Sequence, residues 1–151
     1  MEFKNEIGLI QRRMASSIAG TSRRLEILNA LNIQSGQHVL DIGCGGGHLL
    51  EEIAKAVGPE GKAYGLDTSE DQLKQARKRC SSYENVLTIK GYANQVDLEN
   101  HSCDAICSVQ TFEYIDNVDS SIKELTRLLK PSSIFVNISI LWEYYKFFGA
   151  D

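Results

Sequence analysis

An acid followed by alternating glycines, Asp41-Ile42-Gly43-Cys44-Gly45-Gly46-Gly47, stands between an apolar run ending at Ile42 and a helix-forming run beginning near His48. Glycines at a strand-to-helix turn let the backbone bend sharply and bring bare peptide groups up to a ligand. The G-x-G-x-x-G spacing of a dinucleotide turn is not met. Counted from Gly43 the third place is His48, and counted from Gly45 it is Leu50. Asp41 at the head of the bend repels a pyrophosphate and suits an ammonium group, directly or through water. The bland alternative is a turn that only joins a strand to a helix.

A second acid, Asp67, ends the apolar stretch Lys62–Asp67, about 20 residues after Gly47. That offset is the one at which α/β nucleotide binders place a carboxylate on ribose hydroxyls. A nicotinamide dinucleotide would want the same residue, so Asp67 supports ligand binding without choosing the ligand. It is also placed to cap the following helix, but Ser69 fills that role well.

The intervening patterns supply the elements that hold these acids in place. Apolar residues Phe3, Ile7, Ile10, Met14 and Ile18 recur at helical spacing. A second short helix follows, with Thr21 or Ser22 as its cap and Leu25, Leu28 and Leu31 on one face. Strands are predicted over 38–43, 62–67, 86–92, 103–110 and 133–141. Between them run a helix striped by Leu49, Leu50, Ile53, Ala54 and Val57, ended at Gly58-Pro59, and one opened by Ser69 with Leu73, Ala76 and Cys80 inward. The last helix, 117–130, shows Val118, Ile122, Leu125 and Leu129 on one face and stops before Pro131. The polar stretch 93–102 fits no element. Alternating strands and helices imply a doubly wound α/β domain with a mostly parallel sheet and ligands at the carboxyl ends of its strands.

The chain has 151 residues, a formal charge of −4, 42% hydrophobic and 24% charged residues. One soluble domain is expected, without the basic footprint of a nucleic-acid binder. Arg12, Arg13, Arg23 and Arg24 concentrate positive charge near the N-terminus and read as a solvated face, with a substrate-steering patch as the alternative. No apolar run spans a bilayer, and the start is not a secretory signal. Cys44, Cys80, Cys103 and Cys107 form no C-x-x-C pair and read as buried reduced thiols, with no metal site, in a cytoplasmic or other reducing compartment.

Asp41, Gly43, Gly45 and Gly47 meet acid-x-Gly-x-Gly-x-Gly in full, and here the chain resembles the Rossmann-like S-adenosylmethionine-dependent methyltransferases. The likeness is strongest to the broad group acting on small metabolites, including quinone precursors and sterols. Over 103–131 the arrangement of strand, polar turn, Glu113-Tyr114, Asp116 and a helix ending Leu129-Lys130-Pro131 is similar to the family's fourth-strand block. The resemblance implies a cofactor held by Asp41, Gly43, Cys44, Gly45, Gly47, Asp67, Thr68, Tyr92, Ala93 and Gln110. Where the family has Gly-Asp-Ala after the third strand, this chain has Gly91-Tyr92-Ala93, so an aromatic stands where an acid would meet the adenine. Where the family has paired glycines after the proline it has Ser132 and Ser133, so that turn must differ or be strained.

Methyl transfer needs alignment and a dry site rather than a protein nucleophile. Glu113 and Tyr114 are the leading candidates for substrate contact. His48 is read as a cap or solvated residue, and His101 has no evident partner. The resemblance further implies an N-terminal lid (1–21) over the cofactor-binding core (22–151). It also implies a longer sheet closed by an antiparallel strand pair, for which no sequence remains. The fifth strand is then an edge for a second copy or partner chain to cover. A small-molecule methyltransferase is expected. The alternatives are a non-catalytic or truncated subunit that binds a partner, and an NAD-dependent enzyme.

Overall fold

The computed structural model describes residues 13–139. Five strands form one sheet in the order β3-β2-β1-β4-β5: β1 (His38–Ile42), β2 (Lys62–Asp67), β3 (Val86–Lys90), β4 (Cys103–Val109) and β5 (Leu129–Ile138). Every neighbouring pair is parallel. The helices are α1 (Ile18–Leu31), α2 (His48–Val57), α3 (Glu70–Arg79) and α4 (Val118–Leu128), with a 3-10 turn at Phe112–Tyr114. The order reverses between β1 and β4, the switch point at which open α/β sheets bind ligands. Among the described residues no antiparallel pair follows β5.

The sheet is covered on both faces, which its apolar sequence demands. Leu49, Leu50, Ile53, Ala54 and Val57 are all buried, so α2 uses the whole predicted stripe. They pack with Leu73, Ala76 and Cys80 of the α3 region and with Ile27 and Leu31 of α1. The other layer joins Leu40, Ile42, Leu66 and Ile106 to Leu125 and Leu128 of α4, and to Ala93 and Val96 from the stretch that fits no element. Each fully buried leucine or isoleucine contributes roughly 1.5–3 kcal/mol. No helix among the described residues is long and apolar enough to cross a membrane.

Caps explain where most helices begin and end. Ser69 Oγ accepts the Gln72 amide, opening α3 as expected, and Gly58 ends α2 at φ 69°. Other expectations are corrected. α1 is capped by Ser17 rather than Thr21 or Ser22, its Oγ accepting from the Gly20 amide. Its buried face is Gly20, Ile27 and Leu31, whereas Leu25 is 54% exposed. α4 ends at Leu128 because Leu129 is already paired with Cys103 in β5, so the helix stops ahead of Pro131. It buries Ser121, Leu125 and Leu128 and leaves Val118 and Ile122 exposed. β5 is longer than predicted, and its register against β4 shifts between Cys103 and Ala105. Ser132 lies in that bulge at φ 65°, the strain expected where the resembled family uses glycine. The aromatic residues of 142–148 lie outside the described residues.

Candidate ligand-binding site

A cavity of ≈ 440 Å³ opens beyond the carboxyl ends of β1, β2 and β4, a size typical of small-molecule sites. Its floor is the glycine turn. Gly43 adopts φ 72°, and a Cβ there would lie 2.0 Å from Thr111 Oγ1, so only glycine fits between β1 and the loop after β4. Gly45 also has positive φ, but a Cβ there would meet nothing closer than 4.0 Å. Its missing side chain leaves room on the open side of the bend.

Asp41 is 2% exposed at the head of this turn and lines the cavity. Oδ1 is 3.9 Å from the Cys107 thiol, and Oδ2 has no hydrogen-bond partner among the described residues. Burial, then the charge of Asp67, push its carboxyl up to about 7, while the thiol works the other way. Burying a carboxylate this deeply without a full set of partners is costly unless something positive or hydrogen-bonding arrives.

Asp67 has a different environment. Its Oδ2 accepts the Gly45 amide at 2.9 Å and its Oδ1 accepts the Ser69 amide at 2.8 Å. Burial pushes its pKa up, and those amides pull it back. The carboxylate is thus locked in one orientation with its remaining lone pairs directed for further donors. β2 is brought close by Gly65, where a Cβ would lie 2.9 Å from the Cys44 thiol and closer still to Leu50.

Of the residues expected at the site, Asp41, Gly43, Cys44, Gly45, Asp67, Thr68, Tyr92, Ala93, Gln110 and Tyr114 all border the cavity. Gly47 does not. It faces α3, where a Cβ would come within 2.8 Å of Ala76 Cα, so its place in the motif is helix packing. Glu113 lies in the 3-10 turn beside Tyr114 but outside the lining. Tyr92 is 68% exposed at the rim. Gln110 takes φ 53°, its amide donating to Ile138 O at 2.6 Å.

Of the N-terminal arginines, Arg13 is exposed, as expected of a solvated face, and Arg12 lies outside the described residues, but Arg23 and Arg24 depart from that expectation. Arg23 and Arg24 are half-buried and line the cavity, because α1 lies against its mouth. Arg23 Nη1 donates to Gln110 Oε1 at 2.9 Å. Arg24 is consumed structurally: Nε bonds Glu52 Oε1 at 3.0 Å, Nη1 bonds Ala15 O, and Nη2 bonds Thr21 Oγ1 at 3.1 Å. Their spacing in sequence carries no sign of this, since Gln110 and Glu52 lie 87 and 28 positions along the chain from them. His48 also lines the cavity and contacts Arg79 at 3.1 Å through Nε2; burial, then Arg79 and Arg24, lower its pKa. His101, for which no partner was evident, has its Nδ1 2.8 Å from Leu129 O. Gln72, 2% exposed, is a lining residue that α3's periodicity did not mark as functional. The four cysteines are free and buried.

Several known proteins are similar to this chain in sequence or fold. A demethylmenaquinone methyltransferase of Geobacillus stearothermophilus is 34% identical over 115 residues, 75% of this chain and 49% of that protein. An uncharacterized 37.1 kDa protein in a Streptomyces fradiae transposon is 31% identical over 124 residues, 82% of this chain and 36% of that protein. The chain thus spans half or less of the length of these relatives. A SAM-dependent methyltransferase from Aquifex aeolicus superposes with a TM-score of 0.70 and 28% identity, covering 75% of this chain and 62% of that one. A family model described as a methyltransferase domain matches residues 33–144, a span that takes in every strand of the sheet, and the chain belongs to that family.

Proposed function

We propose that the protein binds S-adenosylmethionine and directs its methyl group to a small-molecule acceptor. The observation that carries this reading is Asp41 Oδ2, buried and without a hydrogen-bond partner among the described residues, on a residue that lines the cavity. An ammonium group satisfies it and a diphosphate does not. S-adenosylmethionine supplies an activated methyl on a sulfonium, together with an amino-acid ammonium and two ribose hydroxyls. Asp41 takes the ammonium, and the locked carboxylate of Asp67 accepts from the hydroxyls. Gly43, Cys44 and Gly45 present backbone. Thr68, Tyr92 and Ala93 border the nucleoside, with Tyr92 stacking where relatives of the resembled type use an acid.

On this reading, Gln110 faces the amino-acid end, and Tyr114, with Glu113 behind it, orients the acceptor. Neither needs to become a nucleophile, since alignment and exclusion of water provide the main acceleration. The segment before residue 22 acts as a lid, of which Met14 and Ala15 touch the cavity. The likeness to a demethylmenaquinone methyltransferase favours a ring acceptor of quinone type. A second reading, cofactor binding without turnover and a partner on the sheet edge, is favoured by β5, whose outer edge is unpaired among the described residues.

Calorimetric titration with S-adenosylmethionine, S-adenosylhomocysteine and NADH tests the ligand. Transfer of a labelled methyl group to a panel of demethylated quinone analogues and other metabolites then tests the activity. Binding of the first two with turnover supports the proposal. NADH binding alone refutes it, and binding without turnover together with self-association supports the second reading.

A further inference from the structure

Two groups of opposite charge in the cavity wall are short of partners. One is Asp41. The other is Arg23, whose one hydrogen bond among the described residues, from Nη1 to Gln110 Oε1 at 2.9 Å, goes to a neutral amide. No carboxylate among the described residues pairs with it, whereas Arg24 beside it has Glu52 at 3.0 Å. A guanidinium has five donors in a fixed fork that matches a carboxylate. Leaving most of them without protein partners in a half-buried wall is unfavourable unless an anion arrives. Asp41 and Arg23 border the same cavity without pairing with each other. A cavity carrying one free carboxylate oxygen and one free guanidinium is complementary to a zwitterion.

We infer that Arg23 is the carboxylate-binding residue of this cavity, gripping the amino-acid end of the ligand whose ammonium Asp41 receives. The inference rests on the cofactor reading above. Gln110 is then a positioning residue: its left-handed backbone and its amide bond to Ile138 O fix the side chain that aims the guanidinium. Arg23 lies upstream of residues 33–144, so the family match does not include it.

The test compares two ligands by calorimetry: S-adenosylhomocysteine, and 5′-methylthioadenosine, which keeps the nucleoside and thioether but lacks the amino-acid end. Arg23→Met should weaken the first by about tenfold or more, the effect of losing a charge-assisted pair, and leave the second within about twofold. Arg23→Lys, which keeps the charge but not the fork, should fall between. Equal losses for both ligands, or no loss for S-adenosylhomocysteine, overturn the inference while leaving the cofactor reading intact. Failure of the wild-type protein to bind either ligand overturns both. The binding of 5′-methylthioadenosine also reports that each variant is folded.

Discussion

The two walls of the cavity are built in opposite ways. On the β1–β2 side, backbone does the placing: Asp41 sits on a central strand paired to Gly65 and Cys107, and Asp67 is fixed by two amides. On the α1–β4 side, side chains do it: Arg23 of α1 reaches Gln110, 87 positions away and just past β4. Positions set by backbone tolerate little change. Positions set by side-chain reach can be retuned, which suits the wall that must fit an acceptor.

The largest effect expected comes from breaking the backbone-built wall. Gly43→Ala puts a methyl 2.0 Å from Thr111 Oγ1 at a positive φ, and should cost about 3 kcal/mol or more in urea unfolding, with loss of measurable cofactor binding. A cost under about 1 kcal/mol would mean that the turn can shift. Asp41→Asn should separate stability from function. Cofactor affinity should drop by about tenfold or more, as for a lost charged hydrogen bond, while the ligand-free protein becomes more stable near pH 8.

The pH dependence sharpens the same point. Asp41 binds its proton more tightly when folded, with a pKa of about 7, than when unfolded near 3.9. Its stabilising contribution is therefore complete below the unfolded value and lost as pH rises through about 7. Relative to Asp41→Asn, the wild-type protein should lose about 4 kcal/mol from about pH 4 to about pH 8, measured as a difference between urea titrations. The difference removes the opposing trend from Asp104 and Glu124, whose carboxyls are held low. Hydrogen bonds from the His38 amide and Lys130 outweigh burial at the first, and Arg127 holds down the second. A flat difference would place Asp41 in contact with water or a cation.

At the exposed rim beyond β3, Tyr92→Ala should leave stability within about 0.5 kcal/mol and weaken cofactor binding only several-fold. A loss as large as that from Asp41→Asn would show this exposed ring to matter as much as the buried acid. The smallest effect lies far from either: Ser132→Gly, relieving φ 65° at an exposed bulge, should raise stability by about 0.5–1 kcal/mol. A lower melting temperature would show the bulge to be held by something besides backbone preference.

The same division explains what was legible in the sequence. β2 lies where alternating pattern put it, and the α2 stripe is complete, because burial on a sheet imposes a period that residues must obey. Asp41, Gly43 and Gly45 were readable because a glycine turn is a local device. The place of Arg23 in the cavity wall was not, since it depends on where α1 lies against the end of β4. The α4 face was misjudged because Ser121, small and polar by type, fits against the sheet where Val118 does not. Gly47 shows the limit of a motif: three glycines share one spacing, yet one of them serves the neighbouring helix.

The four thiols turn the molecule into its own clock. Cys103 and Cys107 are wholly enclosed, Cys80 nearly so with its pKa raised to about 11, and Cys44 forms part of the cavity wall. An alkylating or disulfide reagent added to the native protein must wait for an opening. Cys44 should be modified first, through breathing of the glycine turn, and the remaining three only at the pace of global unfolding. Any molecule seated over Asp41 would slow the first event without touching the second.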